Sequence, residues 1–192
     1  MTSHANRGKV FEELLERWHA GYAARGEADI VKRHPAHIRL RTKLKLPRGR
    51  YVAQPTSTGE PDFSGGVKLA GYAYAVKFDA KSTTGRRWSF DDLSPAQADA
   101  LDQAHKCGTV TFLALSVRGE RFVVPWAPGY GGLADRWREW QGRSGRAAPG
   151  EASIALEALR SGVCSARAMP PEGWATVVRD LLRRRIAAAR PF

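Results

Sequence analysis

VKFDAKSTTGRRWSF, residues 76–90, opens like a buried strand and carries charge where a buried strand has none. Side chains alternate faces along a strand. Val76, Phe78 and Ala80 therefore share one face, and Lys77, Asp79 and Lys81 share the other. An acid and a base two residues apart on one face of so apolar a strand need a partner or a purpose.

The residues just upstream offer both. PDFSGGVKLAGYAYAVKFDAKST reads as two strands around a Gly-rich turn, with Asp62 at the start of the first. If those strands pair, the carboxylates of Asp62 and Asp79 converge at one end of a sheet. Two adjacent carboxylates repel, and one tends to protonate. A divalent cation removes that penalty, and hard oxygen ligands suit Mg²⁺, with Mn²⁺ able to substitute. Lys81, on the Asp79 face, then stands beside the ion, placed to orient a water or neutralise a phosphoryl oxygen. The spacing of PD, a gap, then DAK resembles the PD-(D/E)xK nuclease signature. A structural Asp–Lys pair on a half-exposed strand is the other reading of Asp79 and Lys81 taken alone.

Downstream, Ser94 opens a helix with Pro95 in its first turn, running to about Cys107. TVTFLALSV (109–117) is a buried strand, RGE a tight turn and RFVVPW its antiparallel neighbour. From Gly129 the chain turns Gly-, Arg- and Ala-rich. A short helix is expected near residues 151–161 and a stronger one over 173–188, where Trp174, Val178, Leu182 and Ile186 share a face.

Toward the N-terminus, residues 6–25 carry Phe11, Leu14, Leu15, Trp18 and Tyr22 at helical spacing. After it, Ile38, Leu40, Thr42, Leu44 and Leu46 alternate with Arg39, Arg41, Lys43 and Lys45, a period of two with one wholly basic face. Pro47, Arg48 and Gly49 turn the chain, and the segment from Arg50 returns as a partner strand, making a protruding hairpin. Residues 32–50 hold eight Lys or Arg and no acid. Charge of that kind also shields an edge strand from aggregation.

The 192 residues suit one domain, or one domain with an appendage, and 43% hydrophobic content excludes a disordered chain. The formal charge of +12 points to nucleic acid or another anionic partner. No stretch approaches a membrane span, and the N-terminus has no apolar signal region, so an intracellular, cytoplasmic protein with no membrane partner is expected. The two cysteines, Cys107 and Cys164, show no CxxC spacing, so neither a zinc knuckle nor a disulfide framework is indicated.

More of the chain than the short motif has a counterpart. NRGKVFEELL (6–15), the basic stretch ending in EPDFSG, VKFDAKST, and LSPAQADALDQAHKCGTVTFLAL follow one another as do the landmarks of RecU-type Holliday-junction resolvases, which this sequence resembles from residue 6 to about 126, and loosely beyond. The resemblance implies an α/β fold: a PD-(D/E)xK nuclease-like core, a mixed β-sheet flanked by helices, a basic β-hairpin stalk and a helical C-terminal tail. It divides the chain into a core over 1–130, with the stalk at about 32–58, and a helical extension over 131–192 packed on it. It implies a homodimer that binds branched DNA and cuts four-way junctions by Mg²⁺-dependent hydrolysis with paired nicks. Asp62, Asp79 and the carbonyl of Ala80 would hold the metal, Lys81 would position the water, and Glu12 and Gln97 would support both. Arg7, Arg39, Arg41, Lys43, Lys45, Arg48 and Arg50 would contact DNA phosphates. Two departures are visible: Asp79 stands in a glutamate position, and Ala96 where the family usually has histidine. The host, a cell or a virus acting in one, is left open. The rivals are another PD-(D/E)xK endonuclease cutting duplex or flap DNA, and a non-catalytic basic nucleic-acid-binding protein.

Overall fold

The computed structural model describes residues 4–33, 37–40, 52–55, 59–127, 131–142 and 152–188; for 4–7, 37–40, 52–55 and 188 it describes the backbone alone. The opening stretch lies in strand β5 (Tyr72–Thr83) and runs on into β6 (Arg87–Ser89). Before them come α1 (His4–Ala24), β1 (Ala28–Lys32), β2 (His37–Leu40), β3 (Val52–Pro55) and β4 (Phe63–Leu69). After them come α2 (Pro95–Lys106), β7 (Val110–Val117), β8 (Glu120–Pro125), α3 (Leu133–Gly142), β9 (Ser153–Ala155), α4 (Leu156–Arg160), β10 (Arg167–Ala168) and α5 (Ala175–Ala188).

Among the described residues, six strands form one mixed sheet in the order β1-β4-β5-β7-β8-β10. β5 sits inside it, antiparallel to β4 and parallel to β7. The parallel pair needs a crossover, and α2 provides it. The β4–β5 turn is made by Ala70 and Gly71, both in the left-handed region at φ 50° and 86°. The pairing register sets Phe63 opposite Phe78, which brings Asp62 alongside Asp79.

The alternation read from the sequence holds. Val76, Phe78 and Ala80 join Phe63, Val67, Phe112 and Val123 in a core under α1 and α5, which contribute Phe11, Leu15, Tyr22, Trp174, Val178 and Leu182. Phe78 stacks between Phe63 and Phe112, with centroids 5.0 and 4.5 Å away. The opposite face of the sheet supplies Leu113, Leu115, Val117 and Val124 to a second core, covered by Leu101 of α2, Trp137 of α3, Leu159 of α4 and Trp88. The molecule is therefore a mixed α/β sandwich with helices on both faces of the sheet.

Several elements differ from the sequence reading. The basic stretch 32–50 does not begin at Lys32 as a free hairpin, because residues 28–32 pair with β4 as the sheet's edge strand. β2 and β3 do pair antiparallel, His37 opposite Pro55 and Leu40 opposite Val52, in a two-stranded sheet of their own. The turn between them lies outside the described residues. The helix expected near 151–161 starts later: Ser153–Ala155 is a strand that pairs with β6 and sets the buried Ile154 opposite Trp88, and α4 follows. A further helix, α3, occupies the Arg-rich stretch and buries Leu133, Ala134 and Trp137.

Candidate active site

Asp62 sits just before β4, held there by its carbonyl, which accepts a hydrogen bond of 2.6 Å from the Arg33 N–H at the end of β1. Its own N–H donates to Asp79 Oδ1 at 3.3 Å. Its Oδ2 accepts from the Ala80 N–H at 2.9 Å. Here β4 has not yet begun, so the Asp62 carboxylate occupies the place a paired strand would take along β5. The N–H and C=O of one strand residue project to the same side, so the Ala80 carbonyl faces the same edge.

Asp79 has a fully buried side chain, and Lys81 beside it is 17% exposed, with Nζ 2.7 Å from Asp79 Oδ2. That contact is an ion pair without hydrogen-bond alignment, and Oδ2 has no hydrogen-bond donor. Asp79 Oδ1, by contrast, accepts from both Asp62 N and Gln97 Nε2, the latter at 3.0 Å. Lys81 Nζ also donates to Gln97 Oε1 at 3.4 Å. Gln97 belongs to the first turn of α2, where it and Ser94 make a reciprocal capping box. Four residues from three separate stretches of chain thus form one connected cluster.

The cluster is electrostatically unbalanced. Burial, and then the neighbouring Asp79 charge, push the Asp62 carboxyl from 3.8 up to about 7, against the opposing pull of the Ala80 N–H and Lys81. A buried carboxylate, a half-buried one and a single ammonium leave a net negative site when both acids are ionised. A divalent cation is the group that such oxygen donors suit, and Asp79 Oδ2 accepts no hydrogen bond, with the Lys81 ammonium beside it. The fit has a limit: no group of three or more His, Cys, Asp and Glu side chains able to hold a metal occurs among the described residues. Asp62, Asp79 and the Ala80 carbonyl would hold the ion, with water or substrate oxygens completing its shell.

Glu12 is not brought into this cluster. Its carboxylate pairs with Lys32 Nζ at 2.9 Å, and the same ammonium holds Glu16 at 2.5 Å. Lys32 stands opposite Phe63 in the sheet, so Glu12 is at the Asp62 end of the molecule but on the α1 side, with a cation of its own. Arg7 and Arg39 lie on α1 and β2 with their side chains outside the described residues; Arg41, Lys43, Lys45, Arg48 and Arg50 lie wholly outside them.

Two contributors were not singled out for the site from the sequence. Ser94 was read as a helix start, although its S-x-x-Q spacing to Gln97 is itself a capping-box signal. Gly59 packs so close to α2 that a Cβ there would lie 2.6 Å from the Ala96 Cβ. The small residue at 96 and the missing side chain at 59 together let the segment leading to Asp62 lie on the first turn of α2. Nothing in the spacing of Gly59 announces that contact.

Comparison with known proteins places these residues in a wider setting. The sequence model of one family, RecU: Recombination protein U, matches residues 6–141. No curated protein sequence matches. Among solved structures, the 1.6 Å structure of Archaeoglobus fulgidus Hjc, a Holliday junction resolvase from an archaeal hyperthermophile, shares 13% identity with this chain. The alignment covers 57% of this chain and 73% of that one, at a TM-score of 0.35.

Proposed function

The chain belongs to the recombination protein U family, and on that premise we propose that it is a Mg²⁺-dependent endonuclease that resolves four-way DNA junctions. The observation that carries the reading is the single cluster of Asp62, Asp79, Lys81 and Gln97. Its order, an acid before one strand and Asp-x-Lys in the next, is the PD-(D/E)xK plan. When bound, Mg²⁺ supplies charge neutralisation at the scissile phosphate and a nucleophile at neutral pH.

The chain's own residues do the rest. Asp62 and Asp79 present the anionic face to the ion. Lys81 holds its ammonium 2.7 Å from Asp79, placed to orient the attacking water or to neutralise a phosphoryl oxygen as charge develops. Gln97 fixes both Asp79 and Lys81 from one amide. The basic residues Arg7, Arg39, Arg41, Lys43, Lys45, Arg48 and Arg50 supply phosphate contacts, so junction affinity falls by about 10³–10⁵ between 50 and 200 mM salt if six to ten phosphates are engaged. Paired nicks across a two-fold junction require two symmetric sites, which a C₂ homodimer presents.

The test is cleavage of a labelled mobile four-way junction in excess unlabelled linear duplex, with Mg²⁺ or with EDTA. The wild type is expected to cut with Mg²⁺ only. Lys81→Ala and Asp62→Asn are expected to bind the junction and leave it intact. Equal cutting of linear duplex would assign a different nuclease of the same superfamily. Binding without cutting of any branched DNA, under any divalent metal, would make the protein a non-catalytic nucleic-acid binder.

A further inference from the structure

We propose that Ser94 is a positioning residue for this site, acting through Gln97: its hydroxyl seats Gln97 on α2 so that the amide Nε2 reaches Asp79. The kinetic part of this proposal rests on the endonuclease reading; the geometric part does not.

An amide side chain has two nearly isosteric ends, and its neighbours decide which way it points. Around Gln97 the neighbours are polarised. At one end stand two groups that can only donate, the Ser94 N–H at 3.1 Å and the Lys81 ammonium at 3.4 Å, with the Ser94 hydroxyl, which can donate or accept, at 3.3 Å. At the other stands the Asp79 carboxylate, 3.0 Å from Nε2. Reversing the amide would set its NH₂ against the Ser94 N–H and the Lys81 ammonium, and its oxygen against an anion. The Ser94 hydroxyl also accepts the Gln97 backbone N–H at 3.2 Å, which fixes the residue's position on α2.

The consequence reaches the reacting end of the cluster. With Nε2 turned to it, Asp79 Oδ1 receives two N–H donors, which pin the rotation of the carboxylate and leave Oδ2 undonated beside Lys81. Without the Ser94 hydroxyl, Gln97 loses a bond to its amide oxygen and the bond that seats its backbone N–H. Groups that orient a ligating carboxylate in this way typically matter by about 10–100-fold in activity or metal affinity.

A helix cap alone explains Ser94 more cheaply, and the test must separate the two roles. Glycine at an N-cap costs only about a few tenths of a kcal/mol relative to serine, so Ser94→Gly removes the hydroxyl and nearly keeps the cap. Ser94→Thr keeps both. In the metal-free, ¹⁵N-labelled protein, the Gln97 side-chain amide, assigned by its loss in Gln97→Ala, is expected to exchange with solvent slowly in wild type and Ser94→Thr. In Ser94→Gly it is expected to exchange about tenfold faster or more. Turnover on the junction is expected to fall about 10–100-fold in Ser94→Gly with KM unchanged, and to stay within about twofold in Ser94→Thr. Folded Ser94→Gly with wild-type exchange and turnover would overturn the proposal, as would Ser94→Thr behaving like Ser94→Gly. If the wild type cuts no branched DNA, the endonuclease reading fails, and the exchange comparison alone decides the role of Ser94.

Discussion

Replacing Asp62 by Asn should change how the stability of the metal-free protein responds to pH, in a direction the site fixes. The Asp62 carboxyl is raised from 3.8 to about 7, first by burial and then by the Asp79 charge. The folded state therefore keeps a proton that the unfolded chain releases. Between those two values the folded state binds more protons, so stability falls as pH rises, and the fall is complete above about pH 7. A shift of about three units corresponds to about 4 kcal/mol, of which about 3 kcal/mol falls between pH 5 and pH 8. Asn cannot ionise and can still accept the Ala80 N–H. Urea unfolding in EDTA, for wild type and Asp62→Asn at pH 5 and pH 8, isolates the contribution, because every other titrating group is common to both proteins. The variant should gain about 3 kcal/mol on the wild type between the two pH values. A difference that does not change with pH, or changes the other way, refutes the strained carboxylate pair. Adding Mg²⁺ at pH 8 should restore the wild type selectively, by about 2.7 kcal/mol at a hundredfold excess over Kd.

Two further changes read the fold that holds the site. His19 is buried among Tyr22, Phe63, Phe78 and Trp174 and accepts the Trp174 indole N–H at 3.1 Å; burial lowers it to about 4, so stability should be lost as pH falls from about 6.5 toward 4, by about 3 kcal/mol in all, and a His19→Gln variant that loses stability over the same acid range to the same extent would exclude that origin. A Cβ at Gly65 would collide with the Asp29 carbonyl across the β1–β4 pair, so Gly65→Ala should release β1 and accelerate exchange of its amides while the β5–β7 amides stay protected; unchanged β1 exchange would refute the close approach.

The elements legible in the sequence are those whose pattern is long or whose turn chemistry is explicit. β4 and β5 show clean alternation on either side of Ala70–Gly71, and α2 announces itself by Ser94-Pro95. β1 was hidden because five residues, exposed at Asp29 and Val31 and ending in Lys32, merge by composition into the basic run that follows. β9 was hidden because a three-residue strand has no period to detect, and only its pairing with β6 makes it a strand. Asp62, Asp79 and Lys81 are legible from strand pattern and motif, and the approach of Asp62 to Asp79 follows from the turn; Gln97 is legible from the resemblance alone. Glu12 comes from the resemblance alone, which cannot show that a lysine on β1 would pair with it.

A structural Asp–Lys pair would account for Asp79 and Lys81 if they lay on a half-exposed strand with no other charge near. They do not. Asp79 is fully buried, and besides Lys81 a second carboxylate, Asp62, is set against it, which offsets what the ion pair contributes. For holding the fold alone, apolar residues of similar volume in place of buried ions are often neutral or stabilising. Asp79 and Lys81 lie on β5 opposite Leu113 and Leu115 of β7, beside the N-terminus of the crossover helix α2. That helix end carries a partial positive charge, suited to an approaching phosphate, while its first turn supplies Gln97 to Asp79. The carboxylate pair is costly without a counter-charge, which a cation would supply. That combination supports a catalytic metal site and is hard to reconcile with a structural pair.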